Sequence, residues 1–359
     1  MKNDYLIVFE KLKQVIISGK FSANEKLPTE DQLIENFQVS RYAIRKALEQ
    51  LENEKLIYRV QGSGMYIQDW NKKWSYKTEN KTIGLICTHI ADYIFPKIIS
   101  HIDSIIAQKG YSLLVTNTHN NPQKERSRLI NMLDANVAGL IVEPSESARP
   151  NPNLDLYQVI KENKIPIIFL NACYQELNFP LINNTDQTSE CELTKYLLEL
   201  GHRKILGIFQ VDDQQGVHRM QGFIDAYHET GADLTQSNII MYSSHDDFDT
   251  ISKKIDIYLN SNQSPTAIVC YHDQLAIKVV DKLKKAHYRI PEDISVTGFD
   301  DYDGVNYITP SLTTMTYETY AVGQEAGRGI LDLIHGKTFN SITHQPQLKI
   351  RDSTAAPKK

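Results

Sequence analysis

The sequence predicts a two-part α/β protein: a small helical module closed by a hairpin, then a large doubly wound region in two lobes. Three observations predict it. Apolar residues recur at helical spacing through the first 51 residues and give way to two strand-like runs around Gln61-Gly62-Ser63-Gly64. From residue 81 onward, near-continuous apolar runs such as IGLIC, GLIV, IPIIFL and TAIVC alternate with helical patterns, as parallel strands covered on both faces require. The length, 359 residues, exceeds what one hydrophobic core ordinarily serves and suits two or three domains.

In the first module, Leu6, Phe9, Leu12, Val15 and Ile16 share a helical face, with Gly19 placed to end the helix. Pro28 leads into Thr29-Glu30-Asp31-Gln32, a capping box that opens a second helix with Leu33, Ile34 and Phe37 as its apolar face. After the turn FQVS, Ser40 is placed to cap a third helix. Its stripe is Ile44, Ala47, Leu48 and Leu51, with Ala47 small enough to let the preceding helix come close. Arg41 and Arg45 lie one turn apart and away from that stripe, with Tyr42 beside them. A helix that buries one face and offers two arginines near its N-terminus on the other suits the DNA major groove. Residues 56–60 and 65–67 read as the strands of a hairpin whose Gly-rich tip can approach a DNA backbone or minor groove. That order is a winged helix-turn-helix over residues 1–68. Residues 69–80 break the periodicity and hold both tryptophans, Trp70 and Trp74, so they read as a linker.

In the second region, 81–357, strands are expected at 82–88, 111–116, 138–143, 165–171, 204–209, 239–242, 267–271 and 294–299. Ligands of doubly wound sheets bind beyond the C-terminal ends of the strands. The polar residues there are His89, Asp92 and Tyr93 after the first strand, Glu143 at the third and Asn171 at the fourth. In the second lobe they are His272 and Asp273, then Asp300 and Asp301. Carboxylates accept hydroxyl protons, amides donate and accept, and the faces of Tyr93 and Phe95 can cover C–H groups, a chemistry suited to a neutral polyol. Each polar residue can instead cap the following helix, and for Asp273 and Asp301 capping is the expected role.

Bulk properties narrow the function. The net charge is −5 at pH 7, so no global positive field draws the chain to nucleic acid. Residues 1–68 carry ten Lys/Arg against nine Asp/Glu, so DNA contact must rest on a few well-placed side chains. The N-terminus MKNDYLIVFEKLKQ has no long apolar core, and no run reaches about 18 apolar residues. No signal peptide, no membrane partner and a cytoplasmic location are therefore expected. Cys87, Cys173, Cys191 and Cys270 form no C-x-x-C pair and the histidines no H-x-x-x-H pair, so reduced thiols and no metal are expected.

Two resemblances sharpen these readings. The run LPTEDQLIENFQVSRYAIRKALEQLENEKLIYRVQGSGMYI resembles the winged helix of the GntR family. Its motifs are P-T/S-E-x-x-L, V-S-R-x-T/A-I/V-R-x-A-L and G-x-G-T/M-F/Y-V/I. The resemblance implies that Arg41 and Arg45 read or position on DNA, and that Thr29, Glu30, Ser40, Gln61 and Gly62 contact bases or phosphates. The segments DYIFPKIISHIDSIIAQKGYSLLVTNTHNNPQKE, AGLIVEP, ELGHRKILGIF, GVHRMQGFIDA, PTAIVCYHDQLAIKVVDKLKKAHYRIPEDISVTGFDD and ITPSLTTM are similar, in order, to the LacI-type regulator domain. That implies the two-lobed fold of periplasmic sugar-binding proteins, with effector contacts at Asn171, Arg219, His272 and Asp300. The family usually has Asn at 272, so His272 is a departure that still offers a donor and an acceptor. The usual small pair after the crossover aspartate is replaced by Ser189 and Glu190.

The pairing implies a sequence-specific repressor of sugar-utilisation genes with no cofactor, released from its operator by a sugar. TDQTSECELTKYLLELGH, IFQVDDQQGVHRMQGF and ADYIFP resemble arabinose-responsive members, which implies L-arabinose as effector. Two half-sites need two recognition helices, so a homodimer on double-stranded operator DNA is expected. A regulator of the same build answering to another sugar or metabolite is the alternative. A transporter's solute-binding protein fits the ligand fold but not the winged helix. An enzyme is not expected, because the chain has no G-x-S-x-G elbow, no G-x-x-x-x-G-K-[ST] loop and no isolated catalytic lysine motif.

Overall fold

The protein is described by a computed structural model over residues 4–18, 20–69, 80–91, 93–174, 176–261 and 263–358. Gly19, Trp70, Trp74 and Asp92, four positions named above, lie outside the described residues. Helix α1 (Asp4–Ile17) buries Val8, Phe9, Leu12 and Ile16. The expected stripe is therefore rotated: Leu6, roughly a quarter turn from the centre of that face, is 40% exposed. Helix α2 (Glu30–Phe37) starts at the expected capping box, with the Thr29 hydroxyl accepting from Gln32 N–H and the Gln32 side chain accepting from Thr29 N–H. It stops at Gln38, whose φ of 52° is left-handed and turns the chain. Helix α3 (Arg41–Asn53) starts at Ser40, whose hydroxyl accepts from Ala43 N–H. Its stripe of Ile44, Ala47, Leu48 and Leu51 is buried to 2% exposure or less. Each larger member is worth roughly 1.5–3 kcal/mol of burial, enough to hold a short helix that its own propensity would not. Strands β1 (Ile57–Val60) and β2 (Gly64–Ile67) pair antiparallel as the wing, and Lys26 bridges to Tyr66 on its far side.

The chain continues with β3 (Thr82–Cys87), α4 (Phe95–Ala107), β4 (Ser112–Asn117), α5 (Pro122–Asp134), β5 (Gly139–Val142), α6 (Leu154–Glu162), β6 (Ile167–Leu170) and β7 (Leu181–Asn184). Then come α7 (Asp186–Glu199), β8 (Ile205–Gln210), α8 (Gln214–Thr230), β9 (Asn238–Tyr242), α9 (Phe248–Leu259), β10 (Ala267–Cys270), α10 (Asp273–Lys285), β11 (Ser295–Asp300) and β12 (Thr313–Thr316). Helix α11 (Thr319–Ile334), β13 (Ile342–His344) and β14 (Leu348–Lys349) complete it. The strands form two six-stranded sheets, ordered β13-β7-β6-β5-β3-β4 and β14-β12-β11-β10-β8-β9. Every ladder in them is parallel except β12 with β14. The chain passes from one lobe to the other three times: after β7, after β12 and after β13.

All eight expected strands are present, with ends shifted by one or two residues. Four more, β7, β12, β13 and β14, carry LINN, TTMT, ITH and LK. They are short and hold no apolar run, so hydrophobic periodicity does not announce them.

By packing, the chain divides into two compact units. One comprises Met1–Asn80, Gln123–Ala138 and Pro152–Ile165, so α6 and nearly all of α5 belong with the winged module. Within it, the buried Arg126 of α5 pairs bidentately with Asp155 of α6, at 2.8 Å for both bonds. Its Nε lies 3.5 Å from Glu54, just past α3, and Lys13 of α1 reaches the same carboxylate at 2.9 Å. The other unit, Lys81–Pro122, Gly139–Asn151 and Pro166–Lys359, holds both sheets. Each sheet has its own apolar core, one around Ile83, Ile141, Ile168 and Ile330, the other around Ile208, Phe223, Ile268 and Val296.

Candidate functional site

A cavity of about 230 Å³ lies where the C-terminal strand ends of the two sheets face each other. The first sheet supplies a row of polar residues in strand order. Thr88 follows β3, Glu143 follows β5, Asn171 follows β6, and Asn184 ends β7. The Glu143 carboxylate accepts from Thr88 N–H (2.9 Å) and Oγ1 (2.6 Å) and from Asn171 Nδ2 (2.8 Å). Asn171 Oδ1 accepts from the Tyr317 hydroxyl at 2.5 Å. Asn171 has a φ of 64°, a left-handed conformation that costs free energy and that surrounding structure must hold.

The second sheet contributes Arg219, 3% exposed on α8. Its Nε donates to Asp186 (2.8 Å), one terminal nitrogen to the Tyr271 carbonyl (2.7 Å) and the other to Asp300 (3.3 Å). Its guanidinium carbon sits 3.6 Å from the Phe299 ring centroid. A guanidinium carries five donors, so Arg219 keeps some for a ligand. Gly222, one turn on, explains the position: a Cβ there would meet the Gln187 carbonyl oxygen at 2.1 Å. Only glycine lets α8 lie this close to α7, which sets Arg219 beside Asp186. Burial pushes the Asp186 carboxyl up, against the pull of Arg219.

Tyr93 joins the lobes. Its hydroxyl donates toward Asp300 (2.6 Å) and the Phe299 carbonyl (2.9 Å) and accepts from Asp273 N–H (3.2 Å). Tyr93 and Asp300 both have positive φ, 63° and 100°. Two strained residues meeting across a cleft is the pattern expected where strain serves a binding site.

His272 lines the cavity and also caps α10, with Nδ1 accepting from Leu275 N–H at 3.0 Å. Burial lowers its imidazole to about 4, so the ring is neutral and its proton sits on Nε2. The donor-and-acceptor expectation is corrected: the cap consumes the acceptor, and a donor remains. The capping expectation for Asp273 and Asp301 is corrected too. Asp273 accepts from Thr314 Oγ1 (2.6 Å) and Tyr302 N–H (2.8 Å), and Asp301 pairs with Lys349 (2.6 Å) and Arg351 (2.5 Å). Asp273 thus ties the start of α10 to β12 and to the turn after β11, and Asp301 ties the end of β11 to β14 and the segment after it.

Among the sequence-chosen effector residues, Tyr93, Glu143, Asn171, Arg219, His272 and Asp300 all line the cavity, and Asp92 lies outside the described residues. Sequence reasoning did not single out Thr88, Asn184, Asp213, Tyr271 or Tyr317, which line it too. Asp213 sits inside the quoted IFQVDDQQ and its type alone could have flagged it. Tyr317 follows a strand with no apolar signature, so nothing marked it. Burial pushes the Asp213 carboxyl up to about 7, against hydrogen bonds from Tyr271 Oη (2.7 Å) and Gly216 N–H (2.6 Å). Behind Arg219, Glu190 is wholly buried and pushed up to about 8 by that burial. One of its oxygens accepts from Thr194 at 3.0 Å and the other has no partner.

On the winged module, Arg41 pairs with Asp31 at 2.5 Å and Arg45 with Glu30 at 2.9 Å. Both arginines stay more than half exposed. The α2 carboxylates thus hold the two arginines of α3. Exposed pairs of this kind are worth about 0–1 kcal/mol, little enough for phosphate or guanine to displace. Tyr42 is 72% exposed beside them. The Thr29 and Ser40 hydroxyls accept as helix caps; Thr29 also donates to Gln32 Oε1 at 3.2 Å. Gln61 is exposed at the wing tip, where Gly62 takes a φ of 76°.

A recognition helix with exposed arginines, a wing, and a two-lobed sensor around a polar cavity define a ligand-responsive DNA-binding regulator. Residues 4–67 match the bacterial regulatory proteins of the gntR family, and residues 194–354 match the periplasmic binding protein-like domain. The chain is 34% identical over 355 residues to the arabinose metabolism transcriptional repressor of Geobacillus stearothermophilus, covering 98% of this chain and 97% of that protein. It is 35% identical to the arabinose metabolism transcriptional repressor of Halalkalibacterium halodurans, covering 100% and 98%. The sensor has the fold of the transcription regulator CcpA of Lactococcus lactis, with a TM-score of 0.68 at 21% identity, covering 77% of this chain and 100% of that one. The chain belongs to the family of the arabinose metabolism transcriptional repressors: DNA-binding repressors with a sugar-sensing domain, and not enzymes. No helix among the described residues is long and apolar enough to cross a membrane.

Proposed function

We propose that this protein represses arabinose-utilisation genes from the cytoplasm, holds its operator as a homodimer, and releases it when L-arabinose fills the cavity. No cofactor takes part. The observation that carries the effector reading is the charge balance of the cavity. Its carboxylates Glu143, Asp246 and Asp300, with Asp213 half protonated near neutral pH, outnumber its cations Arg219 and Lys278, and Arg219 is already paired with two carboxylates. An anionic ligand such as a sugar phosphate would meet net repulsion there. A neutral polyol meets acceptors in the carboxylates, donors in Arg219 and His272, and aromatic faces in Tyr93, Phe95 and Tyr271. At 230 Å³ the cavity falls below the roughly 300–1,000 Å³ of drug-sized sites, which favours a monosaccharide. The likeness to arabinose metabolism transcriptional repressors supports arabinose among them.

The test is operator affinity with and without saturating L-arabinose, beside D-xylose and D-ribose. L-arabinose is expected to weaken operator binding, and by linkage operator DNA should weaken arabinose binding by the same factor. At 100 times Kd the sugar should also stabilise the free protein by about 2.7 kcal/mol. Unchanged operator affinity at a sugar concentration that stabilises the protein would remove the induction step. Stabilisation by another sugar but not by L-arabinose would reassign the effector.

A further inference from the structure

The polar row along the first sheet is not uniform. Thr88, Glu143 and Asn171 satisfy one another, and Tyr317 closes the chain at its end. Asn184 extends the row by one strand and stands outside that network. It is 7% exposed and lines the cavity, yet its side-chain oxygen is buried without a hydrogen-bond partner. Among the described residues, no other cavity-lining side chain has a buried atom left in that condition.

Local structure does not require the asparagine. Strand β7 alternates in burial, with Ile182 and Asn184 on one face. Ile182 belongs to the apolar core beneath. The backbone of Asn184 stands in register with His344 of β13, a pairing that any residue type makes. A leucine at 184 would extend the core and remove a buried polar atom whose missing hydrogen bond destabilises the free protein. Such a cost is expected where a ligand repays it.

We propose that Asn184 is a specificity-determining contact for the sugar: one ring hydroxyl of a neutral monosaccharide completes the hydrogen bonding of its carboxamide. The assignment rests on the effector reading above and deepens it. A hydroxyl both donates and accepts, so it serves the carboxamide whichever way round the amide lies. A sugar lacking that hydroxyl leaves Asn184 as unsatisfied as it is in the free protein, and is discriminated against.

The experiment is titration calorimetry on the full chain, as wild type, Asn184→Leu and Asn184→Ala. The probes are L-arabinose, D-xylose, D-ribose and D-galactose. For whichever of these binds wild type best, its monodeoxy analogues follow. Each replacement is expected to weaken that sugar by about 10- to 100-fold. For one deoxy analogue the replacement should cost nothing further, because the hydroxyl that Asn184 meets is already gone. Without sugar, Asn184→Leu should melt no lower than wild type, which separates a binding role from a structural one. A loss shared equally by the parent sugar and every analogue overturns the proposal, as does a replacement that leaves affinity unchanged. If L-arabinose fails but another probe shows the non-additive pattern, the contact stands and the arabinose assignment falls. If no neutral sugar binds wild type, both fall together.

Discussion

Replacing Arg219 by methionine keeps most of the stem's bulk and removes the cation. Asp186 and Asp300, whose side chains are 3% and 6% exposed, then lose their common partner. Breaking a buried ion pair by removing one member costs about 3–5 kcal/mol, and here two carboxylates are stranded. The cost should depend on pH in a defined direction. Burial already pushes the Asp186 carboxyl upward with Arg219 in place, so without the cation its folded pKa rises further above the unfolded value of about 3.9. Between those two values the folded state binds more protons than the unfolded state, so stability falls as pH rises through that window. The variant should therefore lose less at pH 5 than at pH 8. Urea unfolding followed by far-ultraviolet circular dichroism at both pH values measures it, with the sheet-bearing unit's transition compared between variant and wild type. Arg219→Lys, which keeps the charge and loses the planar fork, should fall between. A loss under about 1 kcal/mol, equal at both pH values, would refute the reasoning.

Three further outcomes follow from the geometry. Glu190→Gln mimics the protonated acid. With the folded carboxyl near 8 and the unfolded one near 4.5, wild type loses stability as pH rises between them and the variant does not. The variant should be more stable than wild type to urea at pH 9, by up to a few kcal/mol, and show no such advantage at pH 5; the same difference at both values would mean another cause. Tyr93→Phe removes the hydroxyl that reaches Asp300 and the Phe299 carbonyl, and a bond to a charged acceptor is worth about 1.5–3 kcal/mol. L-arabinose affinity should drop by about 10- to 100-fold in calorimetry, and an unchanged Kd would show that this link does not belong to the sugar-bound arrangement. Arg45→Ala should cost about 1–3 kcal/mol of operator affinity if the side chain reads a guanine, less the small energy of the Glu30 pair it gives up. An equal loss on unrelated DNA in a gel-shift competition would make it a phosphate contact instead.

The corrections to the sequence reading share a physical cause. A side chain's type shows what it can bond, but its fold neighbours decide what it does bond. His272 looked like a ligand residue with two functions, and one of them is spent on Leu275 N–H of its own helix. Asp273 and Asp301 looked like caps, and they tie the segments around β11 together instead. Leu6 fitted an apolar face, but the partners of α1 leave the edge of that face open. Asn184 carried no signal, because LINN has neither an apolar run nor a motif.

The sequence alone determined the capping of α2 and α3, the arginine face of α3, and the eight apolar strands. These depend on residues close in the chain, where spacing of 3.6 or 2 and local hydrogen bonds decide the outcome. It also marked most of the strand ends around the cavity, because parallel sheets place their C-terminal ends together. Only the tertiary structure decided which of those polar groups are already satisfied. Glu143 and Asn171 share bonds with each other, Arg219 is held between Asp186 and Asp300, and the Asn184 side-chain oxygen is left without a partner. Those pairings join residues up to 207 positions apart, as from Tyr93 to Asp300, and whether a buried polar group is satisfied depends on such distant partners.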